Sequence, residues 1–253
     1  ELFIVWKLAL HQLQVLVYEN KIGIYSNFIL LCRAMNRYEE GNRAIEKYYK
    51  IPCKTGWQKQ FHFVKRTVSV IPMLTVSGQY DRALAMEKEV YDLFKQGTDL
   101  LATVQKMNVY CSCMALFIIT GDYERALDWY DLQSKEPNAP GIADNRVIAS
   151  LCNIIAHFEL GNHSILPGLC RSIQRTLNDK GFDTKTEQTF LRFMQKVPPE
   201  LEQAQYWQNF KAALEPLKEV PGEREKFSYL DFTKWIDSKI QKRPLRAILE
   251  EKM

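Results

Sequence analysis

Apolar residues recur every three or four positions along most of the chain, the spacing that places side chains on one face of an α-helix. Two such sets are Val68, Ile71, Leu74 with Thr75, and Met107, Tyr110, Met114, Phe117 with Ile118. No segment shows a convincing strand pattern. The spacing predicts a helix over 2–19, helix pairs over 21–50, 56–96, 98–134, 141–179 and 184–218, and tail helices over 231–241 and 244–251.

A turn motif repeats between the helices of these pairs. Residues 77–84 and 120–127 share the order small, Gly, polar, Tyr, acid, Arg, Ala, Leu, and 43 residues separate Gly78 from Gly121. A weaker copy lies at Gly161, and a degenerate one covers 35–45. Glycine suits the left-handed conformation that ends a helix, and a small alanine lets two helices approach closely. A period of this length predicts a solenoid of helical hairpins.

The Gly-x-Tyr-x-x-Ala cores at 78–83 and 121–126 resemble the tetratricopeptide repeat (TPR). The resemblance covers about residues 21–180, with a period longer than the 34 residues of that family. It implies an all-α fold, a right-handed α-solenoid of stacked antiparallel hairpins. Residues 1–220 would form the array, and 221–253 a charged linker with capping helices. The tail at 229–240 also resembles the ending of bacterial repeat proteins whose function is uncharacterised.

In the TPR family, first helices line a concave groove, and their groove positions lie at fixed offsets before the turn glycine. Counting back from Gly78, Gly121 and Gly161 gives the candidate partner-binding residues Lys65, Val68, Asn108, Cys111, Ile118, Ile148, Leu151 and Phe158. Most are apolar, which leaves two interpretations. The groove receives a hydrophobic partner helix, or the chain fills it with its own tail, through Phe227, Leu230, Phe232, Trp235 and Ile236.

The charge balance points away from a dedicated nucleic-acid binder, because 34 basic and 30 acidic residues leave a net charge of only +4. Basic and aromatic residues do mix over 57–66, which fits either base stacking or an amphipathic helix with a basic face. We favour the helix and expect no nucleic-acid partner.

The apolar run over 2–17 is interrupted by polar residues, so it fits neither a membrane span nor a signal peptide. It is interpreted as a core helix. The chain starts at Glu1 rather than Met, which indicates a fragment or a processed chain. In that case the run is the second helix of a truncated hairpin, and we expect a homodimer through this exposed N-terminal helix. No membrane association is expected.

No recognisable catalytic or cofactor motif is present. The six cysteines, Cys32, Cys53, Cys111, Cys113, Cys152 and Cys170, fit buried free thiols of a reducing, cytoplasmic compartment, with a redox or metal role as the alternative. The four histidines form no metal-binding pair, and the chain has no phosphate loop or nucleophile elbow. Acidic residues of the second helices, Glu87 among them, are interpreted as solvated faces with local ion pairs.

The sequence therefore predicts a protein-interaction scaffold or adaptor that binds a protein or peptide, with no cofactor, no metal and no enzymatic activity. The first alternative is a regulatory sensor that binds a peptide or small apolar ligand in the groove. The second is an enzyme whose site lacks a familiar motif, assembled from residues on distant helices.

Overall fold

A computed structural model describes residues 2–96, 101–137, 141–179, 185–197 and 204–251, and within these ranges it is all helical, without a strand. The helices are α1 (Leu2–Ala34), α2 (Tyr38–Tyr49), α3 (Gly56–Val76), α4 (Tyr80–Gln96), α5 (Thr103–Thr120), α6 (Tyr123–Ser134), α7 (Ala143–Glu159), α8 (Leu166–Asp179), α9 (Lys185–Met194), α10 (Ala204–Leu214), α11 (Phe232–Gln241) and α12 (Leu245–Glu250). The all-α prediction is confirmed. The predicted starts at 98 and 184 lie outside the described residues.

Four turns end in the same way. At each, a residue one or two positions after the helix adopts a left-handed conformation, with φ of 56° at Asn36, 72° at Gly78, 84° at Gly121 and 77° at Gly161. The next amide donates to the carbonyl five residues before it, as in Arg37 to Cys32 and Asp122 to Phe117, at 2.8 and 2.9 Å. This is the Schellman cap. Asn36 therefore stands where the clearer copies have glycine.

The Asn36 turn also fixes the alignment of the degenerate first copy. Tyr38 then corresponds to Tyr80, and Gly41 occupies the position of Ala83. Both small residues are buried, and a Cβ added at Gly41 would overlap the buried side chain of Met73. A small residue therefore fits where α2 meets α3, and a larger one would have to displace the end of the Met73 side chain.

Helix α1 differs from the prediction, which had one helix end near residue 19 and another begin near 21. The structure has one continuous helix of 33 residues. Its buried face carries Tyr18, Ile22, Ile29 and Cys32. The core-helix interpretation is wrong for Leu13, Leu16 and Val17, which are 58%, 53% and 60% exposed.

The odd-numbered helices α1, α3, α5 and α7 contact one another in chain order, and each even-numbered helix from α2 to α8 contacts the helix before it. Two aromatic clusters fill the interior. Around Trp129 lie Tyr91, Phe94 and Tyr110, with ring centroids 5.3 to 6.0 Å away. Trp235 of α11 packs against Phe158 of α7 and Trp207 of α10. The tail is therefore part of the core.

The charged segment over 221–226 contains two buried charges. Its last three residues belong to a short 3-10 helix, Arg224–Phe227, and the residues Glu223 and Lys226 are 8% and 6% exposed. The polar contacts that hold these two charges place the tail against α7 and α9.

Candidate functional site

The predicted groove residues are largely inaccessible in this fold. Six of the eight expose no more than 5% of their surface: Val68, Cys111, Ile118, Ile148, Leu151 and Phe158. Lys65 is partly exposed, and its ammonium donates to the Gln105 side chain at 3.3 Å. Asn108 is partly exposed as well, but a residue of the tail contacts it. These positions do not present a continuous open surface to a partner.

Tyr229 is the tail residue that reaches Asn108. Its hydroxyl donates to Asn108 Oδ1 at 2.5 Å and accepts from Asn145 Nδ2 at 3.1 Å. The Arg33 guanidinium lies 4.6 Å from the centre of the Tyr229 ring and donates to the Ser228 carbonyl at 3.3 Å. Side chains from α1, α5 and α7 thus converge on one segment of the chain itself. The tail therefore contacts Asn108, one of the predicted groove positions.

Sequence reasoning missed Arg33, Asn145 and Tyr229. The sequence could have indicated Arg33 as a groove position. It lies three residues before the turn residue Asn36, just as Ile118 lies three residues before Gly121. The motif does not reveal this position, because asparagine replaces the turn glycine there. No sequence pattern indicates Asn145 or Tyr229, because the contact between them depends on the path of the tail.

Buried charges fix the start of the tail. The Lys226 ammonium lies 2.8 Å from Asp144 and 3.3 Å from Glu187, whose side chain is 1% exposed. The Glu223 carboxylate accepts from the backbone amides of Lys185 and Thr186, at 2.7 and 3.0 Å, and so caps α9. Burial alone would raise the pKa of Glu223, but these hydrogen bonds and the Lys226 charge outweigh it and lower the pKa.

The interpretation of Glu87 as part of a solvated helix face is wrong. It is 5% exposed, and its carboxylate accepts from Trp129 Nε1 at 2.7 Å and from Arg125 Nε at 3.1 Å. Its partners belong to α6, not to its own helix, so it links successive helix pairs. Burial raises the pKa of Glu87, and the Trp129 hydrogen bond and the Arg125 charge offset part of that rise.

The largest exposed apolar surface in the described part of the chain follows one side of α1. Its members are Leu13, Leu16, Val17, Ile24, Phe28, Leu31 and the adjoining Met35, each 44% to 69% exposed. We call this set the α1 stripe. Together these residues leave on the order of 700 Å² uncovered, more than the ~300–600 Å² of the largest patch on a typical monomer. A groove of about 320 Å³ between α1 and α2 adjoins it at Ile24 and Phe28.

A cavity of about 820 Å³ lies where the ends of α1, α3 and α5 face the tail. Arg33, Arg224, Tyr38, Tyr80 and Tyr229 are among the residues that line it. Lys218 and Asp231 also line it, and they pair with each other at 2.8 Å. The two arginines form no ion pair with a described carboxylate, so the cavity combines aromatic walls with uncompensated positive charge.

The segment over 57–66 adopts the predicted helix. Trp57 stacks on Phe61 at 5.1 Å, while His62 and Val64 are buried. The described residues contain no group of three side chains suited to holding a metal ion, and no described helix is long and apolar enough to cross a membrane. Five of the six cysteines are buried, but Cys53 is partly exposed, which departs from the expectation of uniformly buried thiols.

Comparison with family models, curated proteins and solved structures gives no match to this chain.

Proposed function

We propose that this chain is a protein-interaction scaffold, built as a right-handed α-solenoid of TPR-like hairpins, whose docking surface is the α1 stripe. Four turns with one cap geometry and the chain-order contacts of α1, α3, α5 and α7 support the repeat architecture. The single observation that carries the function is the stripe, because exposed apolar patches of this size mark interaction surfaces. We place the protein in the cytoplasm, where free thiols stay reduced.

The partner that the stripe fits best is a second copy of the chain. Four stripe residues are placed symmetrically about Ile24: Val17 and Leu31 lie seven positions away, and Leu13 and Met35 eleven. An isologous contact requires that each residue meet its counterpart in reverse order, which two antiparallel α1 helices crossing at Ile24 provide. Lys21, an exposed charge of α1 between Val17 and Ile24, then lies opposite Asn27 rather than opposite a like charge. The exposed area approaches the ~800 Å² per partner of a standard interface.

Sedimentation equilibrium over micromolar concentrations tests this proposal. The wild-type chain is expected to be dimeric, and Ile24→Lys to weaken the dimer by about 100-fold, because it buries two ammonium groups at the symmetry axis. Mixing Ile24→Lys with Ile24→Glu should restore association, since only a two-fold axis at residue 24 brings these side chains together. Val104→Lys, at an apolar residue 41% exposed on α5, is the matched control and should dimerise normally.

A monomeric wild type, or an Ile24→Lys variant that dimerises like the wild type, would refute the second copy as the occupant. Binding of an unrelated amphipathic helix by the monomer, lost in Ile24→Lys, would keep the scaffold and replace its partner. A wild type that neither self-associates nor binds such a helix would contradict the scaffold itself.

The second candidate function is a sensor, and the 820 Å³ cavity favours it specifically. Its size falls within the ~300–1,000 Å³ of ligand pockets, and Arg33 with Arg224 suits an anionic ligand that has an apolar body. Decanoate is a suitable probe. The sensor requires that decanoate raise the melting temperature of the wild type and not that of Arg33→Gln. Equal melting temperatures of the wild type with and without decanoate would count against it.

A further inference from the structure

Cys53 stands apart from the other cysteines. It lies in the connection between α2 and α3, and it is the partly exposed one among the six, all of which are described. Its Sγ is 3.3 Å from His62 Nδ1 on α3 and 3.1 Å from the Tyr18 hydroxyl on α1. Cys53 is therefore a partly exposed residue whose thiol is in hydrogen-bonding contact with an imidazole, a combination found at nucleophilic cysteines.

His62 is built into the protein interior. It is 5% exposed, the Tyr48 ring packs edge-on against it at 4.7 Å, and its Nε2 has no hydrogen-bond partner among the described residues. Burial and the positive charge of Arg66 lower the pKa of His62, and the backbone carbonyl of Tyr48 opposes this only in part. A neutral ring that carries its proton on Nε2 presents Nδ1 as an acceptor for the proton of the sulfur beside it.

We propose that Cys53 and His62 form a reactive thiol site that exchanges with small disulfides. His62 Nδ1 takes the proton of Cys53 as its sulfur attacks one sulfur of the disulfide. A bond forms between Cys53 Sγ and that sulfur, the original S–S bond breaks, and the other sulfur leaves as a thiolate. The proton on His62 then passes to that thiolate or to water. Cys53 is oxidised to a mixed disulfide, and the leaving sulfur is reduced to a thiol.

The remaining cysteines lack this setting. Cys32, Cys111, Cys113, Cys152 and Cys170 are each at most 2% exposed. Burial raises the pKa of Cys111 to about 12 and that of Cys170 to about 11, and it raises those of Cys113 and Cys152 as well. The native chain should thus offer a single reactive thiol, which makes the site measurable without an activity assay.

The other groups that face the pair do not titrate near neutral pH. Burial and the contact with Cys53 raise the pKa of Tyr18, and burial raises that of Tyr48 despite the nearby Arg66. Arg66 stays charged throughout. A change in reaction rate between about pH 6 and 9 therefore reports on Cys53 and His62.

The test follows the reaction of the native protein with DTNB, an aromatic disulfide, from pH 6 to 9, and locates the adduct by mass spectrometry. One equivalent should react, at Cys53, with a rate nearly constant from about pH 6.5 to 8 because neutral His62 supplies the base. In His62→Gln the rate at pH 7 should fall at least tenfold and then increase steadily up to pH 9, because the thiolate must form without a base beside it. Cys53→Ser should abolish the fast reaction.

His157→Gln is the matched control, because that imidazole contacts Asn162 and no sulfur, and its reaction rate should equal that of the wild type. Protection of the other five thiols shows that each variant is folded, and the wild-type pH profile needs no variant at all. The site is excluded if Cys53 reacts no faster than the buried thiols, if the wild-type rate follows an ordinary thiol, or if folded His62→Gln reacts as fast as the wild type.

Discussion

Glu87 illustrates at the residue scale how a charge on an amphipathic helix becomes structural. Its carboxylate is the acceptor for both Trp129 Nε1 and Arg125, and the Arg125 guanidinium also lies 3.6 Å from the centre of the Tyr91 ring. One acid therefore joins α4 to α6. In sequence it is indistinguishable from its exposed neighbour Glu89, because both occur among lysines and arginines on the same helix.

Glu87→Ala should lower the free energy of unfolding by about 3 kcal/mol, since it leaves the buried indole N–H and the guanidinium without their acceptor. Glu89→Ala should change it by less than about 0.5 kcal/mol. Urea denaturation of both variants measures the difference. Equal stabilities would show that the Glu87 contacts contribute nothing.

Stability should also depend on pH through Glu87. Because its pKa is raised in the folded state, the folded chain holds this proton where the unfolded chain has lost it, at pH values above about 4.5. The stabilisation that this proton gives to the folded chain is thus complete below about pH 4.5, and it declines as the pH rises through the folded-state pKa of Glu87. Glu87→Gln keeps an acceptor for Trp129 and should remove this decline, which urea denaturation at a series of pH values would detect.

At the scale of the helices, the turn residues and the helix interiors place opposite demands on glycine. Gly121 has a φ of 84°, which strains any residue with a Cβ, whereas Gly23 lies within α1, where an added Cβ meets nothing within 4 Å. Gly121→Ala should therefore destabilise the chain by about 1 kcal/mol, and Gly23→Ala should stabilise it by about 0.5–1 kcal/mol. Thermal unfolding shows whether each substitution raises or lowers the stability. If both substitutions change the stability in the same direction, the different roles of Gly121 and Gly23 are contradicted.

At the scale of the whole molecule, Lys226 joins the tail to the repeats through Asp144 and Glu187. Lys226→Met should cost about 3 kcal/mol of unfolding free energy, because the Glu187 carboxylate stays buried without the ammonium. Adding Glu187→Gln should recover part of this loss, since it removes the stranded charge. Lys50→Met, at an exposed lysine, is the control. Strictly additive effects of the two substitutions in urea denaturation would argue against the coupling.

The sequence by itself determined the all-α class and most helix positions, because apolar spacing and turn glycines act over a few residues. The sequence did not predict that α1 is continuous. Polar residues such as Asn20 and Lys21 interrupt its apolar pattern, but they do not break a backbone hydrogen bond of the helix. Only the tertiary structure decided which faces are covered. It brought Tyr229 to Asn108 across 121 residues of chain, buried Glu87, and placed His62 beside Cys53. Local sequence patterns do not predict these long-range contacts, because the contacts depend on the path of the whole chain.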